Sequence, residues 1–397
     1  MLSSLKLTAM KQFSFIATAL LLLFIHQSCT KSEMGGGAPG SFVDAGVAAP
    51  GSGTGGAAGV MTAGEWNDIK NWDFWGSLLA RDTIKTFPGI WGFYTQNKIS
   101  VTLRDANNRL IHDAIVTAYY NGTTISAKTD NFGKSQLLAG LYQPGFSLSS
   151  FILTATVNGQ VFNLGSYSSQ NIEITKTIPV IKPIYNTLDI MFVVDATGSM
   201  NDEISYLKTE LLDVINRAGS ELPGTQIRMG SVFYRDKGDD YITRPFGFTT
   251  NANELINFVN NQNAGGGGDT PEAVDQGLKS AIQDQQWSTA AVNRLLFLIL
   301  DAPPHKKDDI MTRLKTAVTI AQQKGIRIIP VSASGIDWET EFLLRFLEIS
   351  TNGTYVFITD HSGIGNAHFT PTVGNYQVEY LNNLMVRLIA QFGKNQD

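Results

Sequence analysis

Three oxygen-bearing side chains stand two residues apart in Leu188–Met200, which reads LDIMFVVDATGSM. Asp195 ends a run of apolar, β-prone residues, and Thr197 and Ser199 follow it. Such a run is typical of a strand buried on both faces, and open α/β sheets bind ligands beyond the carboxyl ends of their strands. One carboxylate and two hydroxyls offer only oxygen, so the spacing favours a hard divalent cation such as Mg²⁺, Mn²⁺ or Ca²⁺.

Two later segments carry further oxygen donors. Asn263–Val274 reads NAGGGGDTPEAV and offers Asp269 and Thr270 after a run of glycines. Arg294–Lys307 reads RLLFLILDAPPHKK and places Asp301 directly after a second apolar run. Glycine lets the backbone fold tightly toward an ion, and loops that follow separate strands can meet at one edge of a sheet. The three segments together predict a single metal site.

The D-x-T-x-S spacing resembles the metal-ion-dependent adhesion site of the von Willebrand factor A family, and the two later segments strengthen the resemblance. It implies that the three side chains of the first motif form one loop of the site and that Asp301 belongs to another. Family members usually supply a threonine from the glycine-rich loop, and here Asp269 and Thr270 are both candidates. The form GGGDTPE is similar to the subgroup that includes hemicentin and the α-kinase-linked A domains.

The resemblance also implies a cofactor and a kind of partner. The ion would be Mg²⁺, or Mn²⁺ or Ca²⁺, with water completing its shell. An acidic side chain of a protein partner would replace one of these waters. Asp236, in the segment YRDKGD, is either a rim residue of the site or part of a solvated turn. His305 is expected at the rim, because Mg²⁺ and Ca²⁺ prefer oxygen ligands.

Enzyme motifs are missing from the sequence, which contains no GxSxG, HExxH or GxxxxGK[ST] pattern. A metal-assisted phosphohydrolase is the enzyme alternative, since carboxylates and Mg²⁺ could serve such chemistry. No cationic or general-base group has a clear place in it. The net charge of −5 and the lack of a basic stripe argue against a nucleic-acid partner. We therefore expect a binding protein rather than an enzyme.

Strand and helix patterns alternate through residues 184–397, which predicts an α/β fold with a doubly wound, mostly parallel sheet. Pro245 restricts the third strand to an edge of the sheet, and Pro271 suits the first turn of a helix. The predicted strands are Leu188–Val194, Ile227–Tyr234, Ile242–Phe248, Leu295–Leu300, Ile326–Ser332 and Thr354–Phe357. The predicted helices are Asn201–Ala218, Ala252–Asn261, Pro271–Ile282, Asp308–Lys324, Glu339–Ile349 and Gln377–Phe392.

Residues 97–183 alternate in the β manner between turn signals, which predicts a preceding all-β sandwich domain. The turn Thr129–Gly133 (TDNFG) makes this segment similar to the regulatory-like β-sandwich found beside carboxypeptidases. Residues 63–96 hold four of the six tryptophans and predict a short amphipathic helix. This aromatic segment is either a platform for sugar or peptide or a segment packed on the next domain.

The N-terminus, residues 1–29, is expected to be a targeting signal. Two lysines precede the apolar run Phe13–Ile25, which is too short for a comfortable transmembrane helix. The run ends in HQSC, and the only cysteine of the chain is Cys29. This pattern is similar to a bacterial lipoprotein signal with a lipidated cysteine, and an ordinary signal peptide is the alternative. Residues 30–62 are rich in glycine and predict a flexible tether.

These features predict a lipoprotein of the bacterial cell envelope, anchored to the outer membrane on its periplasmic or surface face. It would bind a protein ligand through a divalent ion held by the predicted site. The alternative is a non-enzymatic scaffold or assembly component of an envelope complex, in which the metal is structural or absent.

Overall fold

The computed structural model of the 397-residue chain describes residues 61–168, 172–268, 270–360 and 369–396. The predicted signal segment with Cys29, nearly all of the predicted tether, and Asp269 lie outside these ranges. Within the described ranges, no helix is both long enough and apolar enough to cross a membrane.

The described chain begins with a strand, where the sequence predicted only a helix. β1, Thr62–Trp66, is followed by the helices α1, Trp72–Leu79, and α2, Phe87–Trp91. The predicted amphipathic helix is therefore limited to α1. Met61 and Thr62 are buried and belong to the fold rather than to the tether. The strand escaped prediction because its five residues, TAGEW, show no alternation of apolar and polar types.

Seven strands then form two small sheets, ordered β5-β2-β8 and β4-β3-β6-β7. The strands are β2 (Lys98–Arg104), β3 (Ile115–Tyr120), β4 (Thr123–Lys128), β5 (Lys134–Leu138), β6 (Phe151–Val157), β7 (Gln160–Tyr167) and β8 (Ile172–Thr177). One hydrophobic cluster draws on both sheets, with Val101 from the first and Leu153 from the second. This arrangement is compatible with the predicted all-β sandwich.

The remaining elements alternate between strand and helix. They are β9 (Thr187–Asp195), α3 (Asn201–Glu221), β10 (Gln226–Tyr234), β11 (Thr243–Thr249), α4 (Ala252–Asn260), α5 (Val274–Ile282), β12 (Asn293–Leu300), α6 (Asp308–Lys324), β13 (Ile326–Ser332), α7 (Trp338–Ser350), β14 (Tyr355–Thr359), β15 (Val378–Tyr380) and α8 (Leu381–Gly393). All six strands predicted for this region are present, with their ends shifted by at most two residues.

Eight strands form the large sheet, in the order β11-β10-β9-β12-β13-β14-β1-β15. The five strands from β10 to β14 in this order are parallel to one another, while β11, β1 and β15 are antiparallel to their neighbours. Buried residues of α3, α4 and α8 cover one face of the sheet, and those of α5, α6 and α7 cover the other. The predicted doubly wound, mostly parallel α/β fold is confirmed, with Pro245 on an edge strand.

Two helices begin later than the sequence predicted, because residues near their predicted starts pair with distant segments of the chain. α5 begins at Val274, so Pro271 lies before the helix, because Glu272 forms a β-bridge with Pro304 instead. The helix predicted from Gln377 begins only at Leu381, because the preceding residues pair with β1 as the outermost strand.

The aromatic segment packs mainly on α7. Trp75 and Trp91 are at most 1% exposed. The ring of Trp75 stacks on Phe342 with 5.5 Å between centroids, and Phe93 stacks on Phe346. This burial favours the packing interpretation over an open sugar or peptide platform. The aromatic segment therefore covers part of the α/β layer, by which we mean the large sheet and its helices. It does not pack mainly on the sandwich, which is the next domain in the sequence.

Polar contacts hold the sandwich against the α/β layer. Asp113, before β3 of the sandwich, accepts a hydrogen bond from Arg294 of β12 at 2.7 Å. The Tyr142 hydroxyl donates to the carbonyl oxygen of Lys315 on α6 at 3.0 Å. Since β1 precedes the sandwich in sequence but lies inside the large sheet, the α/β layer is built from two separate stretches of chain.

Candidate metal centre

Two neighbouring parallel strands bring the first and third loops of the predicted site to one edge of the sheet. β9 ends at Asp195, and β12 ends one residue before Asp301. Val194 lies opposite Ile299 in the parallel register, so the two aspartates leave the sheet side by side. β12 is buried along its whole length and β9 along all but its first residue, which fixes the origin of both loops.

The first loop folds its own hydroxyls around Asp195. The backbone N–H and the hydroxyl of Thr197 donate to Asp195 Oδ1 at 2.9 Å and 2.7 Å. Ser199 Oγ lies 3.5 Å from Thr197 Oγ1. A 3-10 turn, Gly198–Met200, then leads into α3. Asp195 and Thr197 are buried while Ser199 is exposed, so the loop groups three oxygen donors between the sheet edge and the surface.

Asp301 joins this group from the third loop. It is 8% exposed, and its Oδ1 atom has no hydrogen-bond partner. Burial raises the pKa of Asp301, although its interaction with the Ser199 hydroxyl opposes the rise. Burial, reinforced by the charge of Asp301 and opposed by the Thr197 hydrogen bonds, raises the pKa of Asp195 to about 7. The two carboxylates therefore repel each other across the site.

The second loop is held against the first by backbone hydrogen bonds. Gly265 N–H donates to the Ala196 oxygen at 3.0 Å, and Gly198 N–H donates to the Gly266 oxygen at 3.2 Å. Gly266 and Gly267 have φ angles of +75° and +71°, a region that favours glycine. The glycine run is therefore required for the loop to approach the first motif.

A side chain at Gly267 would collide with the site itself. A Cβ atom there would lie 3.0 Å from Glu272 Oε1 and 3.2 Å from Thr197 Cβ. Gly267 N–H also donates to the Asp239 carboxylate, at 3.0 Å to the nearer oxygen. Thr270, which the sequence offered as a ligand, is exposed.

Glu272 is a site residue that the sequence reading missed. It is 4% exposed, and its Oε2 atom is buried without a hydrogen-bond partner. Burial raises its pKa to about 9, with further contributions from the charges of Asp195, Asp236, Asp239 and Asp301. The sequence feature that could have identified Glu272 is its position as the acidic residue after the proline in GGGDTPE.

Asp236 and His305 form a pair beside this cluster. His305 Nε2 lies 3.2 Å from both carboxylate oxygens of Asp236. Asp236 is 8% exposed, so the interpretation of a solvated turn does not hold for it. Its backbone N–H donates to Asp239 Oδ2 at 3.1 Å, which links this pair to the carboxylate that holds the glycine loop.

The donor set fits a divalent cation. Asp195 Oδ2, Asp301 Oδ1 and Glu272 Oε2 are buried and unpartnered, and a buried carboxylate needs a compensating charge or donor. Within the described ranges, no three His, Cys, Asp or Glu side chains are already close enough to hold an ion by themselves. A shell that includes hydroxyls and retained waters suits this spacing, and Mg²⁺ keeps several waters in proteins.

The structure therefore brings together four of the residues that the sequence selected. Asp195, Thr197, Ser199 and Asp301 meet at the edge of the sheet, whereas Thr270 is exposed. Asp269 lies outside the described residues.

Residues 189–367 match the profile of the von Willebrand factor type A domain. Together with the doubly wound sheet and the grouped oxygen donors, this match shows that the chain contains a von Willebrand factor A domain. Domains of this class are associated with protein interaction or adhesion, and they often bind a divalent ion.

Two known sequences are similar to part of the chain. The putative ariadne-like RING finger protein R811 of Acanthamoeba polyphaga mimivirus is 31% identical over 122 residues, which is 31% of this chain and 12% of that protein. The α-protein kinase vwkA of Dictyostelium discoideum is 31% identical over 138 residues, which is 34% of this chain and 21% of the kinase. The chain thus spans about a fifth or less of either relative.

Among solved structures, proximal thread matrix protein 1 from the mussel byssus is similar at 14% sequence identity and a TM-score of 0.35. The alignment covers 52% of this chain and 46% of that protein. The resemblance to the GGGDTPE subgroup, the carboxypeptidase-associated sandwich and the lipoprotein signal remain predictions from the sequence.

Proposed function

We propose that the chain is a metal-dependent protein-binding module. Asp195, Thr197, Ser199 and Asp301 would hold Mg²⁺, or Mn²⁺ or Ca²⁺, together with an oxygen from the second loop. The observation that carries this proposal is the set of buried carboxylate oxygens without hydrogen-bond partners at the carboxyl ends of β9 and β12. A cation would supply the charge that the protein itself does not place there.

The exposure of the first loop supports a role in binding a partner. Gly198 and Ser199 are exposed, while Asp195 is fully buried beneath them. An ion bound by these residues would therefore have the buried Asp195 on its inner side and solvent on its outer side. An acidic side chain of a protein partner could then replace a bound water, and the surrounding loops would supply specificity.

A binding role accounts for the site better than catalysis. His305, the histidine beside the cluster, already contacts Asp236 at 3.2 Å. Although a carboxylate can orient a catalytic histidine, the sequence contains none of the enzyme motifs GxSxG, HExxH or GxxxxGK[ST]. We therefore propose that the domain is not an enzyme.

We also propose that the chain acts in the cell envelope of a bacterium, anchored to the outer membrane through Cys29. The support for this location is the sequence alone: a short apolar run that ends in HQSC with the only cysteine of the chain. Metabolic labelling with a clickable palmitate analogue tests it. Label should enter the wild-type chain and be absent from a Cys29→Ser variant.

Calorimetric titration of Mg²⁺, Mn²⁺ and Ca²⁺ into the metal-stripped, full-length chain tests the proposed function. We expect saturable binding that is lost in Asp195→Ala. Glu221→Ala is a suitable control, since Glu221 is exposed at the opposite end of α3. Absence of binding by the wild-type chain would reject metal-dependent binding and leave the scaffold alternative, which predicts associated subunits that survive EDTA.

A further inference from the structure

A cleft of about 590 Å³ lies between the sandwich and the α/β layer. One wall is a face of the sheet β5-β2-β8, and the other includes residues 65–70, at the end of β1 and beyond it. The buried Arg327, the second residue of β13, also borders the cleft. Because the candidate metal centre lies at the carboxyl ends of the parallel strands and Arg327 lies near an amino end, the two sites are at opposite edges of the large sheet.

The sandwich wall of the cleft is a polar sheet face. On the middle strand β2, Val101 belongs to the hydrophobic core, while Ser100 and Thr102 point away from it. Thr102 lies opposite Lys134 of β5 and Thr175 of β8. Since β2 is already paired on both sides, this wall offers side chains rather than free backbone groups. An extended peptide takes much of its affinity from a free sheet edge, so the wall suits it poorly.

Several neutral side chains of the cleft have hydrogen-bonding groups to spare. Within the described ranges, the hydroxyls of Thr102 and Thr175 and the amide of Gln391 have no hydrogen-bond partner. Hydroxyls and amides both donate and accept, so they match the hydroxyl groups of a sugar. The partly buried ring of Phe132 also lines the cleft and offers an apolar surface to the CH groups of a sugar ring.

The cationic side chains of the cleft also have donors to spare. In the part of the chain that the structure describes, the ammonium groups of Lys70 and Lys134 make no ion pair and no hydrogen bond. Arg327 is 4% exposed, and its Nε atom is buried without a hydrogen-bond partner. Lys70 comes from the α/β side and Lys134 from the sandwich, so an anion in the cleft would meet positive charge on both walls.

The carboxylates of the cleft, in contrast, each have a cation beside them. These pairs are Glu65 with Arg387 at 2.9 Å, Asp130 with Arg327 at 2.5 Å, and Glu173 with the charge of Lys98. The charge that is left over for a ligand is therefore positive, and it favours a ligand with negative groups.

We propose that this cleft binds a short oligosaccharide that carries carboxylates, such as an oligomer of a uronic acid. Its hydroxyls would bond to the neutral side chains, and its carboxylates would pair with Lys70 and Lys134. Small-molecule sites commonly have volumes of about 300–1,000 Å³ and lie between domains, as this cleft does. A single phosphate or sulfate ion would leave most of the space to water.

Calorimetric titration of three probes into the full-length chain, in the presence of EDTA, tests the inference. Trigalacturonic acid carries sugar rings and carboxylates, maltotriose carries only sugar rings, and triglutamate carries only peptide carboxylates. We expect saturable binding of trigalacturonic acid and binding of the other two that is weaker by about tenfold or more. Because the cleft is remote from the candidate metal centre, EDTA should not affect this binding.

Four variants locate the bound probe. Lys70→Ala and Lys134→Ala should each weaken binding of trigalacturonic acid by about tenfold, because each removes a charged hydrogen-bond donor. Thr175→Tyr should also weaken it, because the ring would occupy the cleft on a strand that tolerates aromatic residues. Lys85→Ala is the matched control, since Lys85 is exposed between α1 and α2 and outside the cleft. Its affinity should equal that of wild type.

Each contrary result overturns the inference in its own way. Wild-type affinity in both Lys70→Ala and Lys134→Ala would place the probe elsewhere on the protein. Comparable binding of triglutamate would assign the cleft to acidic peptides, and comparable binding of maltotriose would show that the lysines are not used. Absence of trigalacturonic acid binding would reject the proposed ligand class. Since EDTA is present throughout, none of these results bears on the proposed metal site.

Discussion

Arg345 on α7 donates two hydrogen bonds to the carboxylate of Asp68, although the two residues are 277 positions apart in the sequence. The Nε and Nη2 atoms donate to Oδ2 and Oδ1 at 2.7 Å and 2.6 Å. Both side chains are at most 1% exposed. Asp68 lies two residues beyond the end of β1, so this pair connects the start of the described chain to a helix that packs on the large sheet.

The Asp68–Arg345 pair should be essential for stability. Replacing Arg345 with Met leaves Asp68 and Glu341 buried without their cation, and we expect a loss of about 3–5 kcal/mol in unfolding free energy. Chemical denaturation followed by circular dichroism measures this loss. The double variant Asp68→Asn with Arg345→Met should lose less than the sum of the single losses, and additive losses would contradict a coupled pair.

Gly64 should not tolerate a side chain. A Cβ on this β1 residue would lie 2.5 Å from the Phe357 ring and 2.8 Å from Tyr376. We expect Gly64→Ala to cost about 1–3 kcal/mol through overpacking, measured by thermal unfolding. Gly76→Ala in α1 is the control, since its Cβ would meet nothing within 4 Å. That change should be neutral or stabilise by up to about 1 kcal/mol, and equal effects at both positions would refute the packing argument.

His112 should make the protein less stable in acid. It is 1% exposed, and neither ring nitrogen has a hydrogen-bond partner. Burial, assisted by the charge of Lys182, lowers the pKa of His112 to about 4. Between an ordinary pKa of about 6.5 and this value, the unfolded chain binds more protons than the folded one, so stability falls as the pH falls through that window.

His112→Phe removes this proton uptake. Between about pH 7.5 and about pH 4.5, the wild-type chain should lose about 2.5 kcal/mol more unfolding free energy than the variant. Urea titrations at the two pH values give the comparison. Because the other titrating groups are common to both chains, their contribution cancels in the difference. Parallel pH profiles of the two chains would show that His112 has the same pKa in the folded and unfolded states, which would contradict this prediction.

Metal removal should lower the stability of the wild-type chain. An ion that binds only the folded state, at a hundredfold excess over its Kd, adds about 2.7 kcal/mol to the unfolding free energy. Thermal unfolding in Mg²⁺ and in EDTA measures the increment. Asp195→Asn should remove it, while its stability in EDTA should equal or exceed that of wild type, because repulsion with Asp301 is relieved. The same increment in the variant would place the bound ion elsewhere.

The sequence by itself determined the α/β core and most residues of the candidate metal centre. The long apolar runs that end at Asp195 and Leu300 are typical of central strands, and the structure confirms that both strands are buried. When two such strands are adjacent and parallel, the residues at their carboxyl ends lie at the same edge of the sheet. The apolar pattern of each strand was therefore enough to predict that Asp195 and Asp301 lie near each other.

Only the tertiary structure decided where the non-local partners lie. β1 has no strand pattern of its own and exists because β14 and β15 hydrogen-bond to it across some 300 residues of chain. Glu272 reads as an ordinary residue of a helix start, and it becomes part of the site because its backbone bridges to Pro304. Periodicity reports burial along one segment, whereas strand pairing and the convergence of carboxylates depend on which distant segments meet.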